Sequence, residues 1–144
     1  MPANALHPAP KLVADSASRS LPAWTYSDPD FMALERENVF LPAWHLVCHE
    51  SDVPALGDYA TFRMFGEIAF AVRGKDGAIR AFHNVCRHRA ARLVDGHQGN
   101  CGRSVVCPYH AWTYQLDGRL SGVPFIEQYE TFEKSDHGLT PVEC

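Results

Sequence analysis

Two short segments of this 144-residue chain each place a cysteine close to a histidine. The first is Cys86-Arg87-His88 and the second is Cys107-Pro108-Tyr109-His110, with eighteen residues between the two segments. The chain has five cysteines, an odd number, and its N-terminus shows no readable secretory signal. In such a chain, Cys and His more often bind a metal than form disulfides. The sequence therefore predicts a metal centre built from two loops.

The order Cys, His, Cys, His suits an asymmetric iron–sulfur cluster better than a single ion. A 2Fe-2S centre takes four protein ligands, two on each iron, and imidazoles in place of two thiolates remove negative charge from it. Two loops that each offer one Cys and one His can place both thiolates on one iron and both imidazoles on the other. The alternative is tetrahedral zinc, although zinc sites usually group a Cys pair and then a His pair.

Residues 44–122 resemble the Rieske domain of the aromatic-ring-hydroxylating oxygenases, which are Rieske non-haem iron oxygenases. The matching strings are Phe82-His83-Asn84-Val85-Cys86-Arg87-His88-Arg89 and Val106-Cys107-Pro108-Tyr109-His110-Ala111-Trp112-Thr113-Tyr114. The resemblance implies that Cys86 and Cys107 bind one iron and that His88 and His110 bind the other. It also implies a potential toward the low end of the Rieske range of roughly −150 to +300 mV.

Two positions distinguish this chain from the Rieske proteins of respiratory complexes. Those proteins carry further cysteines where this sequence has Ala91 and Tyr109, so the resemblance favours the oxygenase branch. The chain also departs from the oxygenase pattern, because Ala90 and Ala111 stand where glycine is common. The loop between the motifs is slightly longer than usual, and we expect the extra length in the turn over residues 96–102.

The rest of the sequence predicts an all-β fold, a small antiparallel Rieske-type β sandwich or barrel with an N-terminal helix. Ser27-Asp28-Pro29-Asp30 is typical of a helix start and predicts a helix over about residues 29–40. Turns are predicted at Gly74-Lys75-Asp76-Gly77 and at Asp117-Gly118. Strands are predicted at 44–48, 59–64, 68–73, 79–84, 105–106, 113–116 and 119–121.

Three segments are predicted along the chain. Residues 1–43 form an N-terminal arm and helix, with a loose arm over 1–23, and residues 44–122 form the Rieske 2Fe-2S domain. Residues 123–144 are expected to begin a linker into a catalytic domain that these residues do not contain. The resemblance implies that oxygen activation takes place there, at a mononuclear Fe(II) held by two His and one carboxylate. We therefore expect an N-terminal fragment with no catalytic residue of its own.

The leading functional hypothesis is the electron-transfer domain of an oxygenase α subunit. The resemblance implies electrons from a ferredoxin or flavin reductase, used at a mononuclear iron for hydroxylation or oxidative demethylation of an aromatic or quaternary-ammonium substrate. It also implies a homotrimer of complete subunits. A stand-alone Rieske ferredoxin is the alternative, but the helix and Leu41-Pro42-Ala43-Trp44 resemble the lead-in of an oxygenase subunit. A zinc-stabilised binding module is the third possibility.

Composition excludes several other classes of protein. The 13 Lys and Arg against 17 Asp and Glu give a net charge of −4, which disfavours a nucleic-acid binder. The longest stretch without a charged residue, 104–116, is too short to span a membrane, and no secretory signal is readable, so the sequence predicts a cytoplasmic protein. Four arginines lie near the two motifs, either as a docking face for an acidic electron donor or as ordinary solvated charge: Arg87, Arg89, Arg92 and Arg103.

The three cysteines outside the two motifs are not expected to bind a metal. Cys48 lies in the apolar strand predicted over 44–48 and is expected to be a buried hydrophobic side chain. Cys101 lies between the motifs without a paired histidine, and Cys144 is the last residue of the sequence.

Overall fold

The computed structural model describes residues 20–144, and the chain divides into two compact units. One unit ends at Ala43 and the other is Trp44–Cys144. Most of the arm predicted over residues 1–23 lies outside the described residues. Among residues 20–144, no helix is long and apolar enough to cross a lipid bilayer.

The first unit contains the one α-helix of residues 20–144, α1 (Pro29–Glu35), after a 3₁₀ turn at Ala23–Tyr26. Asp28 caps α1, because its side chain accepts hydrogen bonds from the backbone N–H groups of Asp30 and Phe31. The predicted start of the helix is therefore confirmed. The helical segment also extends to residue 40 as predicted, but its last part, Arg36–Phe40, is a π-helical turn that follows α1 directly.

The second unit contains a five-stranded antiparallel sheet in the order β4-β1-β2-β3-β8. Its strands are β1 (Asp58–Met64), β2 (Glu67–Arg73), β3 (Ile79–His83), β4 (Gln98–Asn100) and β8 (Pro141–Val142). The predicted Gly74 to Gly77 turn joins β2 to β3 and is closed by a 2.8 Å bond from the Gly74 N–H to the Ala78 carbonyl.

A second, three-stranded antiparallel sheet has the order β5-β6-β7. Its strands are β5 (Ser104–Val106), β6 (Thr113–Gln115) and β7 (Leu120–Gly122). Asp117 and Gly118 turn the chain between β6 and β7, as predicted, and Gly118 has a left-handed φ of 90°. A Cβ at Gly118 would come within 2.5 Å of the Phe82 ring, so the turn packs against β3 only as glycine.

The predicted fold class, antiparallel β with a short N-terminal helix, is confirmed, and its form within residues 20–144 is two open sheets without a closed barrel. One predicted strand is wrong: residues 44–48 pair with no other strand of the described chain. Trp44 and Leu46 are 76% and 91% exposed, so the apolar run that suggested a strand does not enter the core. The short strand β4 was not predicted from the sequence.

The core of the second unit draws side chains from both sheets. Phe70 and Val72 of β2 and Tyr114 of β6 are completely buried and belong to one apolar cluster. Burial of such a side chain stabilises the fold by about 1.5–3 kcal/mol. The cluster also contains Cys86 and Cys107, so both sulfurs lie at the junction of the two sheets and not on the surface.

The predicted boundary between residues 122 and 123 stays a prediction. Residues 123–144 contribute Val123 and Leu139 to the same core. In addition, β8 pairs with β3 through Val142 opposite Ala81. This part of the chain is therefore packed within the second unit.

Candidate metal centre

The two Cys/His segments form two loops that follow strands of different sheets. The first Cys/His loop, residues 86–91, comes after β3, and the second, residues 107–112, connects β5 to β6. Because β3 and β5 both contribute to the common core, their ends bring the two loops side by side.

The first Cys/His loop is a tight turn closed by two backbone hydrogen bonds. The Ala90 N–H donates to the Cys86 carbonyl at 3.0 Å, and the Cys86 N–H donates to the Ala91 carbonyl at 2.8 Å. Ala90 has φ 54°, a left-handed conformation that costs a residue with a Cβ roughly 1–2 kcal/mol. The turn holds Cys86 buried while His88 stays half-buried.

The second Cys/His loop repeats the same backbone turn. The Ala111 N–H donates to the Cys107 carbonyl at 3.0 Å, and the Cys107 N–H donates to the Trp112 carbonyl at 2.8 Å. Ala111 has φ 56°, close to that of its counterpart in the first loop. Strain of this kind at matching positions of two loops is characteristic of functional sites.

The two cysteine thiols are neighbours in the interior. Cys86 and Cys107 are each 2% exposed. Burial raises the pKa of the Cys86 thiol; the hydroxyl of Tyr114 lowers it through a hydrogen bond, and the adjacent Cys107 raises it. Two thiols held in this way fit a shared cationic centre, because a metal ion removes the cost of burying thiolates.

The two histidines bring their rings together beside the thiols. The ring centroids of His88 and His110 are 4.8 Å apart. The Nδ1 atoms of both rings are buried and have no hydrogen-bond partner. Burial, the neighbouring His110 and then Arg89 lower the pKa of His88, so this ring is neutral at neutral pH. A buried ring nitrogen without a hydrogen-bond partner is what a metal ion requires of a histidine ligand.

Trp112 connects the two loops through an aromatic stack. Its ring lies parallel to that of His88, with a centroid distance of 4.8 Å and an interplanar angle of 7°. The rings of Phe132 and His137 contact the Trp112 ring edge-on, with centroid distances of 5.4 and 5.7 Å. Trp112 is 3% exposed, so it shields His88 from water on this side.

The arginines around the loops divide into two kinds. Arg92 forms an exposed ion pair with Asp95 at 3.1 Å, which neutralises its charge locally. Arg87 and Arg89 are exposed and form no ion pair within residues 20–144. Their charge surrounds the first Cys/His loop and favours negative charge there.

The other cysteines lie outside this centre. Cys101 is half-buried, and its thiol donates a hydrogen bond to the Gly57 carbonyl at 3.2 Å. Cys48 is half-buried in the segment that is not a strand, contrary to the prediction, and burial and Asp52 raise its pKa. Cys144 is exposed. Among residues 20–144, no three side chains of His, Cys, Asp or Glu converge on a position for one metal ion.

The second sequence motif contains Tyr114, whose role at the site the sequence does not reveal. Tyr114 is fully buried, and its hydroxyl reaches both Cys86 and the backbone of Arg87. The available signal was its position in β6, because the alternation of a strand directs its side chain toward the core.

The fold and the site together define a class: a small antiparallel β domain with two cysteines and two histidines on paired loops. Residues 43–133 match the family described as the Rieske [2Fe-2S] domain, and the chain belongs to this family. The zinc-module alternative is thereby set aside.

Known relatives of the chain are oxygenase components. It is 39% identical over 123 residues to the carnitine monooxygenase oxygenase subunit of Escherichia coli K12, which covers 85% of this chain and 33% of that protein. It is 44% identical over 123 residues to the glycine betaine monooxygenase oxygenase subunit of Chromohalobacter salexigens, covering 85% of this chain and 27% of that protein. These relatives do not support the stand-alone ferredoxin alternative. The chain spans about a third of the length of the curated relatives it matches.

Solved structures give the same result. A crystal structure of the quaternary ammonium Rieske monooxygenase CntA matches with a TM-score of 0.80 and 35% identity, over 86% of this chain and 34% of that one. Naphthalene 1,2-dioxygenase from Rhodococcus sp. matches with a TM-score of 0.77 and 36% identity, over 84% of this chain and 28% of that one. The fold described above is therefore that of the Rieske domain of such oxygenases.

Proposed function

We propose that Cys86 and Cys107 bind one iron of a 2Fe-2S cluster and that His88 and His110 bind the other. The observation that carries this assignment is the pair of buried, unpartnered Nδ1 atoms on two rings 4.8 Å apart. The two buried and adjacent thiols support it from the other side of the site. Each loop then gives one ligand to each iron, which fits the two-and-two pattern of a Rieske centre.

When bound, such a cluster takes up and releases one electron at a time. The protein would tune this chemistry in four ways. Neutral imidazoles replace two thiolates and so reduce negative charge. The Tyr114 hydroxyl donates to Cys86, and the exposed charges of Arg87 and Arg89 favour the reduced, more negative state. Burial by Trp112 keeps water from the His88 ring.

In the complete protein, we propose that the domain carries electrons from a ferredoxin or flavin reductase to a mononuclear Fe(II) in a C-terminal catalytic domain. That iron would serve hydroxylation or oxidative demethylation of an aromatic or quaternary-ammonium substrate. The relatives named for carnitine, glycine betaine and naphthalene support this range of substrates. We propose a cytoplasmic protein that assembles as a homotrimer of complete subunits.

The ligand assignment is tested by single substitutions in the full chain. Cys86→Ser, His88→Ala, Cys107→Ser and His110→Ala are each expected to abolish or strongly reduce bound iron and acid-labile sulfide. The matched control is Cys48→Ser, which changes a half-buried cysteine outside the centre. Full iron and sulfide in any one of the four variants, with the spectrum of the parent, would remove that residue from the ligand set.

The electron-transfer role is tested separately on the cluster-loaded chain. NADH and a flavoprotein reductase are added anaerobically, and bleaching of the visible absorbance is followed in time. We expect reduction by one electron per chain, and slower reduction when Arg87 and Arg89 are replaced by Gln. A cluster that dithionite reduces but that stays oxidised with the reductase, both alone and with an added ferredoxin, would contradict the proposed donor.

A further inference from the structure

The two Cys/His loops contain the same type of backbone turn, but the ends of each loop are held together in different ways. The second loop connects two paired strands, and Val106 lies opposite Thr113 directly at its base. The first loop leaves β3 at His83, and the residues that return from it, 91–94, belong to no strand. The base of the first loop therefore lacks the strand pairing that closes the second.

The side-chain amide of Asn84 makes this closure. Its Oδ1 accepts hydrogen bonds from the backbone N–H groups of Leu93 at 2.9 Å and Val94 at 3.0 Å. Its Nδ2 donates to the carbonyl of Val94 at 2.7 Å. The backbone N–H of Asn84 donates to the carbonyl of Ile68 in β2 at 2.8 Å, which anchors the residue to the sheet.

Asn84 is buried, and the polar atoms of its side chain are hydrogen-bonded. Asn84 is 2% exposed and, among residues 20–144, is the one buried amide or charged side chain. A buried amide is costly unless its polar atoms are hydrogen-bonded, and here both its oxygen and its nitrogen are used. All three side-chain bonds reach residues nine or ten positions later, at the far end of the first loop.

We propose that Asn84 is a positioning residue whose amide closes the first Cys/His loop and so fixes Cys86 and His88 against the second loop. It acts through the loop backbone. The effect on the loop stands on the contacts of Asn84 alone, whereas the effect on a bound cluster rests on the proposed ligand set. The two consequences can therefore be measured apart.

The test compares amide hydrogen exchange of the two loops in the full chain as purified, with iron content measured in parallel. Asn84→Ala removes all three side-chain bonds, and Asn84→Asp keeps the size and the acceptor but removes the donor to Val94. The matched control is Asn100→Ala, because Asn100 also makes three side-chain bonds, to Leu56, Asp58 and Gly102, but outside both loops. Val72→Ala, a completely buried position in β2, controls for general destabilisation.

Asn84→Ala is expected to raise exchange over residues 84–94 by at least about tenfold while residues 105–113 keep their protection. Asn84→Asp is expected to act in the same direction but less strongly. In both control variants, any change in exchange should be equal over residues 84–94 and 105–113. In the loaded chain, nitrogen hyperfine coupling of His88 should change while that of His110 is retained. Equal exchange increases in both loops, or none over 84–94, would overturn the proposal.

Two further outcomes are also decisive. If Asn84→Ala does not fold, the parent chain gives the answer, because slow exchange of the Leu93 and Val94 amides supports the closure and fast exchange overturns it. If the parent chain itself binds no iron, loop-selective exchange in Asn84→Ala would still support the role of Asn84 in the loop. The absence of iron from the parent chain would refute the proposed ligand set, so the two failures are distinguishable.

Discussion

The hydroxyl oxygen of Tyr114 lies 3.2 Å from the sulfur of Cys86. The same oxygen accepts the backbone N–H of Arg87 at 3.0 Å, which leaves the hydroxyl hydrogen to point at the sulfur. Burial and then the hydrogen bond to Cys86 raise the pKa of Tyr114, so the hydroxyl stays a donor at neutral pH. One strand residue thus reaches across from the second sheet to the cysteine of the first Cys/His loop.

Tyr114→Phe is expected to lower the reduction potential of the bound cluster by about 40 mV. A net hydrogen bond worth about 1 kcal/mol corresponds to a shift of that size in a one-electron couple. The sign follows because a donor to the sulfur stabilises the more negative, reduced state. The potential is measured by anaerobic redox titration, with Tyr109→Phe as the control, because Tyr109 is 62% exposed. An equal shift in both variants would contradict the assigned role.

His88→Cys and His110→Cys are expected to lower the potential of any cluster that still assembles. An additional thiolate brings negative charge to the cluster and disfavours reduction. The matched control is His83→Cys, since His83 lies in β3 just before the first Cys/His loop and outside the proposed ligand set. A parent-like potential in a His110→Cys variant that binds full iron would count against that histidine as a ligand.

Cys101→Ser is expected to leave iron content and the visible spectrum unchanged. The thiol of Cys101 bonds the Gly57 carbonyl, and a serine hydroxyl can make the same type of bond. We expect a change in unfolding free energy of less than about 1 kcal/mol, measured by denaturant titration. Loss of colour in this variant would show that the wrong cysteine had been excluded.

Ala90→Gly and Ala111→Gly are expected to stabilise the chain by up to about 1 kcal/mol each. Both positions have left-handed φ values, 54° and 56°, which glycine adopts without the steric cost of a Cβ. The matched control is Ala60→Gly in β1, where the same substitution should destabilise by about 0.5–1 kcal/mol. If all three variants lose stability alike, the two turns are not strained in the way described.

Asp58 is expected to contribute to stability only above acidic pH. The Asn100 amide, then the Ala55 N–H, lower the pKa of Asp58 from its ordinary 3.8. A carboxyl group with a lowered folded-state pKa stabilises the fold above its unfolded-state value, and this stability is lost as pH falls through the folded-state value. Asp58→Asn should therefore flatten the fall in unfolding free energy below about pH 4. Identical pH dependence in the parent and the variant would contradict this account.

The fold class and the main hairpins could be predicted from the sequence, because both depend on local patterns. Short apolar runs bounded by glycine-containing turns mark β1, β2 and β3, and the Asp117-Gly118 turn marks the β6–β7 pairing. The strands β4 and β8 are three and two residues long and exposed or half-buried, so no local apolar pattern marks them. They form because longer strands of the sheet offer unpaired edges, which is a tertiary effect.

The sequence was sufficient to predict the four candidate ligands but not the residues that support their loops. The spacing of Cys86, His88, Cys107 and His110 pointed to two loops, and the structure brings those loops together. The contacts that support the loops were not predictable, because Asn84 and Tyr114 act on residues nine to 28 positions away. Local patterns carry no information on contacts of that separation.

The most direct test of the central claim is an optical and EPR spectrum of the anaerobically purified chain, before and after dithionite, with iron, sulfide and zinc counted. We predict two irons and two sulfides per chain, as a Rieske [2Fe-2S] domain requires, and an EPR signal that appears only on reduction. A colourless chain that contains zinc after expression in iron-replete medium would contradict the electron-transfer function and the ligand assignment together.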